Sequence, residues 1–121
     1  MTPKQFDEFK AELEKRGYRF VSSNDRPHYY KVMEYRPDKY GDQRAVCQLI
    51  FYLYDFTDYG IDIEPYSYEP IIFVSRNSDE RIDLNACHPK RSIDECERIA
   101  HEFMKFVDNN IPIEYDNSKQ Y

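Results

Sequence analysis

The segment Ala-Val-Cys-Gln-Leu-Ile-Phe-Tyr-Leu-Tyr, residues 45–54, decides the fold. Every second residue in it is apolar, which predicts a strand with one face in a core. That face carries Ala45, Cys47, Leu49, Phe51 and Leu53. The opposite face mixes apolar and polar side chains, which indicates a surface that is neither plain solvent nor deep core. That second face carries Val46, Gln48, Ile50, Tyr52 and Tyr54.

A helix is predicted on each side of the strands. A capping box starts the first helix at Thr2, with Pro3 at the first helical position, and Gly17 ends it, so we place it at 3–16. A second capping box begins at Ser92. Apolar residues recur at spacings of three and four in both helices, so each helix buries one stripe. The stripe predicted for the last helix consists of Ile93, Cys96, Ile99, Ala100, Phe103, Phe106 and Val107.

The remaining chain predicts further strands at 18–22, 28–36, 71–75 and 81–85, with a short strand at 60–64. Short connections imply antiparallel neighbours. The expected fold is a two-layer α+β sandwich in the order α-β-β-β-(β)-β-β-α. Its antiparallel sheet has four to six strands, and both helices pack on one face. We expect one domain over 1–115 and a frayed tail over 116–121.

Composition narrows the class of protein. The chain has 121 residues, a net charge of −6 and three cysteines without the spacing of a disulfide framework. Free cysteines predict a reducing, cytoplasmic setting. No apolar stretch approaches the length of a membrane span, and the first residues lack a signal-peptide pattern. Neither a cofactor nor a metal site is predicted, because no glycine-rich phosphate motif and no Cys-x-x-Cys pair is present.

Negative charge and tyrosine concentrate in the acidic aromatic segment, residues 55–69, which contains no Lys or Arg. Tyrosine offers large, rigid contact area, and carboxylates attract a basic partner. The alternative is a solvated loop that folds back over the sheet edge. The predicted partner-binding residues are Tyr52, Tyr54, Asp55, Asp58, Tyr59, Asp62, Glu64, Tyr66, Tyr68 and Glu69.

The resulting hypothesis is a non-catalytic protein-interaction domain, such as an acidic inhibitor or accessory protein. It would bind a basic partner surface through the acidic aromatic segment and the open sheet face, or form a homodimer through that face. Residues 45–121 carry 7 Lys/Arg against 15 Asp/Glu, which supports a basic partner.

Two alternatives remain open. The first is a small enzyme or a metal site around Cys87 and His88, with His28 as a further member, while Cys47 and Cys96 are expected in the core. The second is a single-stranded nucleic-acid binder that uses the basic first third of the chain, against which the net charge argues. Its candidates are Arg16, Arg19, Arg26, Lys31 and Arg36, with Tyr29, Tyr30 and Tyr35.

Overall fold

The computed structural model describes residues 1–22, 26–55, 64–75, 81–87 and 91–110. Its elements, in chain order, are α1 (Pro3–Lys15), β1 (Arg19–Val21), β2 (His28–Pro37), β3 (Gln43–Asp55), β4 (Tyr66–Val74), β5 (Ile82–Leu84) and α2 (Ile93–Asn110). The strands form one antiparallel sheet in the order β1-β2-β3-β4-β5. The predicted α+β order is therefore confirmed. The predicted strand at 60–64, except for Glu64, and the predicted tail at 116–121 lie outside the described residues.

Both helices pack on the same face of the sheet, as predicted. Phe6 and Leu13 of α1 share one core cluster with Cys96 and Ala100 of α2. The same cluster contains Cys47, Leu49, Phe51 and Leu53 of β3. None of the described helices is long and apolar enough to cross a membrane.

The end of α1 is set by Gly17, whose φ of +90° lies in the left-handed region that favours glycine. The Gly17 amide donates to the Glu14 carbonyl at 3.1 Å, and the Tyr18 amide donates to the Leu13 carbonyl at 3.0 Å. These two bonds form a Schellman motif. The side chains of Tyr18 and Leu13 are both buried, so the turn directs the chain into β1 over the core.

The buried stripe of α2 differs from the predicted one at its C-terminal half. Met104 is 2% exposed, whereas Phe106 is 51% exposed, so the prediction that Phe106 belongs to the stripe was wrong. The buried residues follow spacings of three and four without interruption, which keeps them on one line along the helix. They are Ile93, Cys96, Ala100, Met104 and Val107. The helix starts as predicted, since the Glu95 amide donates to Ser92 Oγ at 3.2 Å.

The register between β2 and β3 shifts near the Pro37 end of the sheet. Val32 pairs with Gln48, Glu34 with Cys47 and Tyr35 with Ala45, so Met33 and Val46 are each passed over. Such bulges change which side chains face the core. Val46 is 6% exposed within the core cluster, and Ala45 is only half-buried. The predicted faces of Ala45 and Val46 were therefore wrong, while the alternation from Cys47 to Leu53 is confirmed.

Strand β4 begins at Tyr66, earlier than the predicted start at Ile71, and includes the buried Pro70. Pro70 pairs with Phe51, whereas β5 pairs only with Ile72–Val74. The first part of β4 therefore has no described strand on its outer side, which is where a sheet tolerates proline. Within this longer strand, Tyr66 and Tyr68 alternate with Ser67 and Glu69 across the two faces.

Candidate protein-interaction surface

The open face is the sheet face opposite the two helices. Directly paired residues in adjacent strands project to the same face. The pairing therefore arranges the side chains of the open face in four rows that run across the strands. The rows consist of Tyr54 and Ser67; of Val21, His28, Tyr52 and Glu69; of Arg19, Tyr30, Ile50 and Ile71; and of Val32, Gln48, Phe73 and Asp83. The predicted mixed face of β3, from Gln48 to Tyr54, thus lies at its centre.

The open face has a shielded centre and a half-buried surround. Ile50 is 7% exposed and Ile71 is 8% exposed, yet neither belongs to the core cluster beneath the helices. Tyr30, Tyr52 and Phe73 around them are half-buried. The face is therefore aromatic and aliphatic, with its two isoleucines shielded and the surrounding rings half-buried.

Arg26 organises one end of the open face. Its guanidinium carbon lies 4.2 Å from the centre of the Tyr52 ring and 5.2 Å from that of Tyr54, within the range of cation–π attraction. The guanidinium also donates to the Tyr54 hydroxyl and lies 3.8 Å from the Glu69 carboxylate. The Tyr54 hydroxyl donates to Glu69 at 2.8 Å, and the His28 ring lies 5.2 Å from Tyr52. These contacts fix the two tyrosine rings in place.

The charges on the open face balance. Arg19 in the rows and Arg26 beside them each bring one positive charge, and Glu69 and Asp83 each bring one negative charge. These four charges sum to zero, on a chain whose net charge is −6. Most of the excess negative charge therefore lies elsewhere on the protein.

The structure divides the predicted partner-binding residues between the two faces. Tyr52, Tyr54 and Glu69 meet on the open face. Tyr66 instead lies on the helix-covered face, with its ring 5.5 Å from that of Phe6. Tyr68 is also on that face and is 8% exposed, and burial raises the pKa of its hydroxyl to about 12. Neither residue lies beside the Arg26 cluster.

The predicted carboxylates are less available than the sequence suggested. Glu64 Oε2 lies 2.7 Å from the amino nitrogen of Met1, and Glu69 shares the Arg26 cluster. Asp55 is exposed at the end of β3, where it pairs with Tyr66 on the helix side of the sheet. The other three predicted members, Asp58, Tyr59 and Asp62, lie outside the described residues.

Sequence reasoning missed part of the open face. The sequence predicts Arg26 and Tyr30 only as nucleic-acid contacts, and Ile71 and Phe73 only as residues of a strand. The alternation of His28, Tyr30 and Val32 is visible in the sequence, but it does not reveal which face they share with β3. Only the cross-strand register brings these side chains together.

The cysteines occupy the core. Cys47 and Cys96 are fully buried, as predicted, and burial raises the pKa of Cys47 to about 12. Cys87 is 3% exposed and hydrogen-bonds with Cys96, which lowers the pKa of Cys87 and raises that of Cys96. His88 lies outside the described residues. Across the described ranges, no group of three or more His, Cys, Asp or Glu side chains is arranged to hold a metal ion.

The basic residues of the first third do not assemble into one patch. Arg16 contacts three carboxylates at 2.6–2.9 Å, and Arg36 contacts two at 2.5–3.0 Å. Lys31 Nζ donates to the backbone carbonyl of Arg16 at 2.9 Å. Arg26 lies in the tyrosine cluster, and Arg19 projects from the sheet edge. Most of these cations are already engaged, so the geometry gives little support to phosphate binding.

Comparisons of the chain with protein-family models, with curated proteins and with solved structures found no match. A functional proposal therefore rests on the residues themselves. Within the described ranges, the open face brings aromatic, aliphatic and charged side chains together outside the main core.

Proposed function

We propose that this chain is a non-catalytic protein-interaction domain, an accessory or inhibitory protein that contacts its partner through the open face. The observation that carries the proposal is the one-sided use of the sheet. Both helices cover the same face, while the other presents half-buried Tyr30, Tyr52 and Phe73 around a shielded centre. A sheet with a second apolar face is most simply completed by another protein layer.

The Arg26 cluster supports this assignment. Tyrosine and arginine are among the residue types that are enriched at the positions that dominate binding energy in protein interfaces. Here Tyr52 lies against the guanidinium, and Tyr54 contacts both the guanidinium and Glu69, in the chain without a partner. Side chains that are already ordered lose less conformational entropy on binding, so more of their contact energy contributes to affinity.

The charge of the chain is the reason for proposing a basic partner. Residues 45–121 carry 15 Asp/Glu and 7 Lys/Arg, and Asp55 is exposed at the end of β3. Such an excess steers a basic protein toward the chain and speeds its encounter. The attraction originates outside the neutral open face, so it would orient a partner rather than provide the main contact.

The cytoplasmic setting and the absence of catalysis are inferred from the cysteines. All three are free thiols, which suits a reducing compartment. A catalytic thiol must reach its substrate, and Cys87 is 3% exposed. The proposal therefore gives Cys87 a role in packing.

Affinity capture from the native cell lysate tests the proposal with three immobilised forms of the chain. They are the unaltered protein, Phe73→Asp on the open face, and Phe106→Asp on the exposed side of α2 as a matched control. A thermal melt of each form establishes that it is folded. We expect one retained protein with the unaltered chain and with Phe106→Asp, and its loss with Phe73→Asp. Equal retention by all three folded forms would overturn the proposal.

A further inference from the structure

We infer that the open face binds a second copy of this chain, face to face, about a two-fold axis parallel to β3. This inference rests on the proposed function in taking the open face as a contact surface. It assigns this face to a second copy in place of the basic partner considered there. The cross-strand register and the charges on the face both favour a second copy.

The position of β3 makes the open face self-complementary. β3 is the central strand of five, with β1 and β2 on one side and β4 and β5 on the other. A two-fold axis along the central strand places β2 of one copy over β4 of the other, and β1 over β5. Each row of side chains then lies over the same row of the second copy, and the interface is isologous.

Apolar side chains oppose each other in two of the four rows. Tyr30 on β2 and Ile71 on β4 share a row, so each meets the other across the interface. In the next row Val32 meets Phe73 in the same way. These apolar pairs repeat on both sides of the axis. Along the axis, the half-buried Tyr52 meets its own counterpart beside the shielded Ile50, so the centre of the contact is aromatic.

The polar side chains on the face are also complementary. His28 on β2 shares a row with Glu69 on β4, so an imidazole of one copy faces a carboxylate of the other. At the edges, Arg19 on β1 faces Asp83 on β5 of the second copy. These two residues are one row apart, and the length of the arginine side chain spans that offset. Both are exposed, so their charges are available to a partner.

The neutrality of the open face favours a second copy over a basic protein at this surface. Arg19 and Arg26 balance Glu69 and Asp83, so a basic partner finds no excess negative charge there. A second copy places Arg19 opposite Asp83 and His28 opposite Glu69. Two chains of net charge −6 repel each other less through a neutral face than through their acidic surfaces.

The size of the face suits a weak dimer. Four rows of side chains along the strands and five strands across cover roughly 20 Å by 20 Å at ordinary strand spacings. This flat projected area is about half of the roughly 800 Å² of accessible surface per partner that stable specific interfaces bury. The accessible surface of the side chains is larger than their flat projection. We therefore expect dissociation in the micromolar range and a monomer at high dilution.

Sedimentation equilibrium of the full chain over a wide concentration range tests the inference. The charge pair provides the sharpest variants, because both side chains are exposed and their replacement does not disturb the core. Asp83→Arg places like charges opposite each other and should raise the dissociation constant about tenfold or more. The double variant Arg19→Asp/Asp83→Arg restores opposite charges and should return the constant to within about threefold of the unaltered value.

Phe73→Asp provides a second test at the apolar part of the face, with Phe106→Asp as its control on α2. We expect Phe73→Asp to be monomeric at every concentration and Phe106→Asp to dimerise like the unaltered chain. A chain that stays monomeric throughout would overturn the inference. A dimer that Phe106→Asp disrupts, or that Asp83→Arg and Phe73→Asp leave unchanged, would also overturn it.

The lysate capture separates this inference from the proposed function. If the chain is monomeric but Phe73→Asp still abolishes capture of a different protein, the second-copy inference is overturned and the proposed function stands. If Phe73→Asp affects neither self-association nor capture, both are overturned. Restoration of the dimer by the double charge variant supports both, because it identifies the open face as the contact surface.

Discussion

The ring of Phe9 lies parallel to the ring of Tyr68, with centroids 4.2 Å apart and an interplanar angle of 11°. Tyr68 also meets Phe51 edge to face at 5.7 Å, and its hydroxyl donates to the backbone carbonyl of Arg91. This tyrosine therefore joins α1, the sheet and the start of α2. Its role is internal packing, in contrast to that of Tyr52 on the opposite face.

Truncation of these two tyrosines should separate stability from binding. Tyr68→Ala leaves a cavity between α1 and the sheet and should lower the free energy of unfolding by about 3–5 kcal/mol. Tyr52→Ala removes a half-buried side chain and should cost about 1 kcal/mol. Urea denaturation followed by circular dichroism measures both. Equal losses would contradict the assignment of the two tyrosines to different environments.

Stability should fall between about pH 10 and pH 12. Burial raises the pKa of Tyr29 and of Tyr68 to about 12, and a hydrogen bond from Tyr29 to Glu14 adds to the effect. Tyrosines in the unfolded chain ionise near pH 10. The folded state therefore keeps both hydroxyls neutral, and their contribution is complete below about pH 10 and is lost as the pH rises through about 12.

The tyrosine effect is checked by measuring the free energy of unfolding across that pH window. Tyr29→Phe and Tyr68→Phe should each reduce the decline, because one buried ionisable hydroxyl is gone. Tyr40→Phe serves as the control, since Tyr40 is 76% exposed, and it should leave the decline as in the unaltered chain. A decline that neither core variant reduces would show that other groups cause it.

Replacement of Arg16 by lysine should lower the stability of the fold. Its Nη1 donates to Asp94 at 2.6 Å and to Glu97 at 2.8 Å, while its Nε donates to Glu12 at 2.9 Å. One planar guanidinium thus links the end of α1 to the start of α2. The lysine ammonium lacks this fork, so we expect Arg16→Lys to lower the free energy of unfolding by about 1 kcal/mol.

Arg98→Lys is the matched control for Arg16→Lys. Arg98 forms an exposed pair with Glu102 within α2 at 2.8 Å, and an ammonium can replace that contact. Arg98→Lys should leave the free energy of unfolding, measured by chemical denaturation, nearly unchanged. The difference in free energy of unfolding between the two arginine variants should become smaller at 1 M salt, because salt screens the ion pairs. An Arg16→Lys variant as stable as the unaltered chain at low salt would refute a specific role for the guanidinium.

Gly17 should be difficult to replace for a purely conformational reason. Its φ is +90°, and a Cβ built there meets no atom within 4 Å. Gly17→Ala should therefore cost about 1–2 kcal/mol through the backbone alone. Gly17→Asn should cost less, because asparagine enters this region more readily. Thermal unfolding of both variants checks the order, and an alanine variant at least as stable as the asparagine variant would contradict it.

The features that the sequence predicted well are local. The caps at Thr2 and Ser92 and the turn at Gly17 depend on residues within one helical turn of each other, so their pattern is readable. The alternation from Cys47 to Leu53 is equally local. The two-layer arrangement follows from it, because a strand with one apolar face and two helices with one stripe each have few ways to pack.

The features that it missed depend on register. Pro70 and the polar Glu69 interrupt the apolar pattern of β4. The sequence therefore predicts a strand only from Ile71 and a loop at Tyr66 and Tyr68. The cluster of Arg26 with Glu69 joins residues far apart in sequence through the pairing of β3 with β4. Met33 and Val46 produce bulges that no local pattern signals. The sequence pattern of β3 thus predicts part of the open face, whereas the patterns of the neighbouring strands do not predict their contribution to it.

Hydroxyl-radical footprinting of the protein in its assembled form tests the central claim, that the open face is the contact surface. The assembled form is the concentrated chain or the chain with its captured partner, and the diluted chain is the reference. We predict that Tyr30, Tyr52 and Phe73 lose reactivity on assembly, while the exposed Tyr40 and Phe106 keep theirs. Unchanged reactivity on the open face, with protection of Tyr40 or Phe106, would contradict the claim.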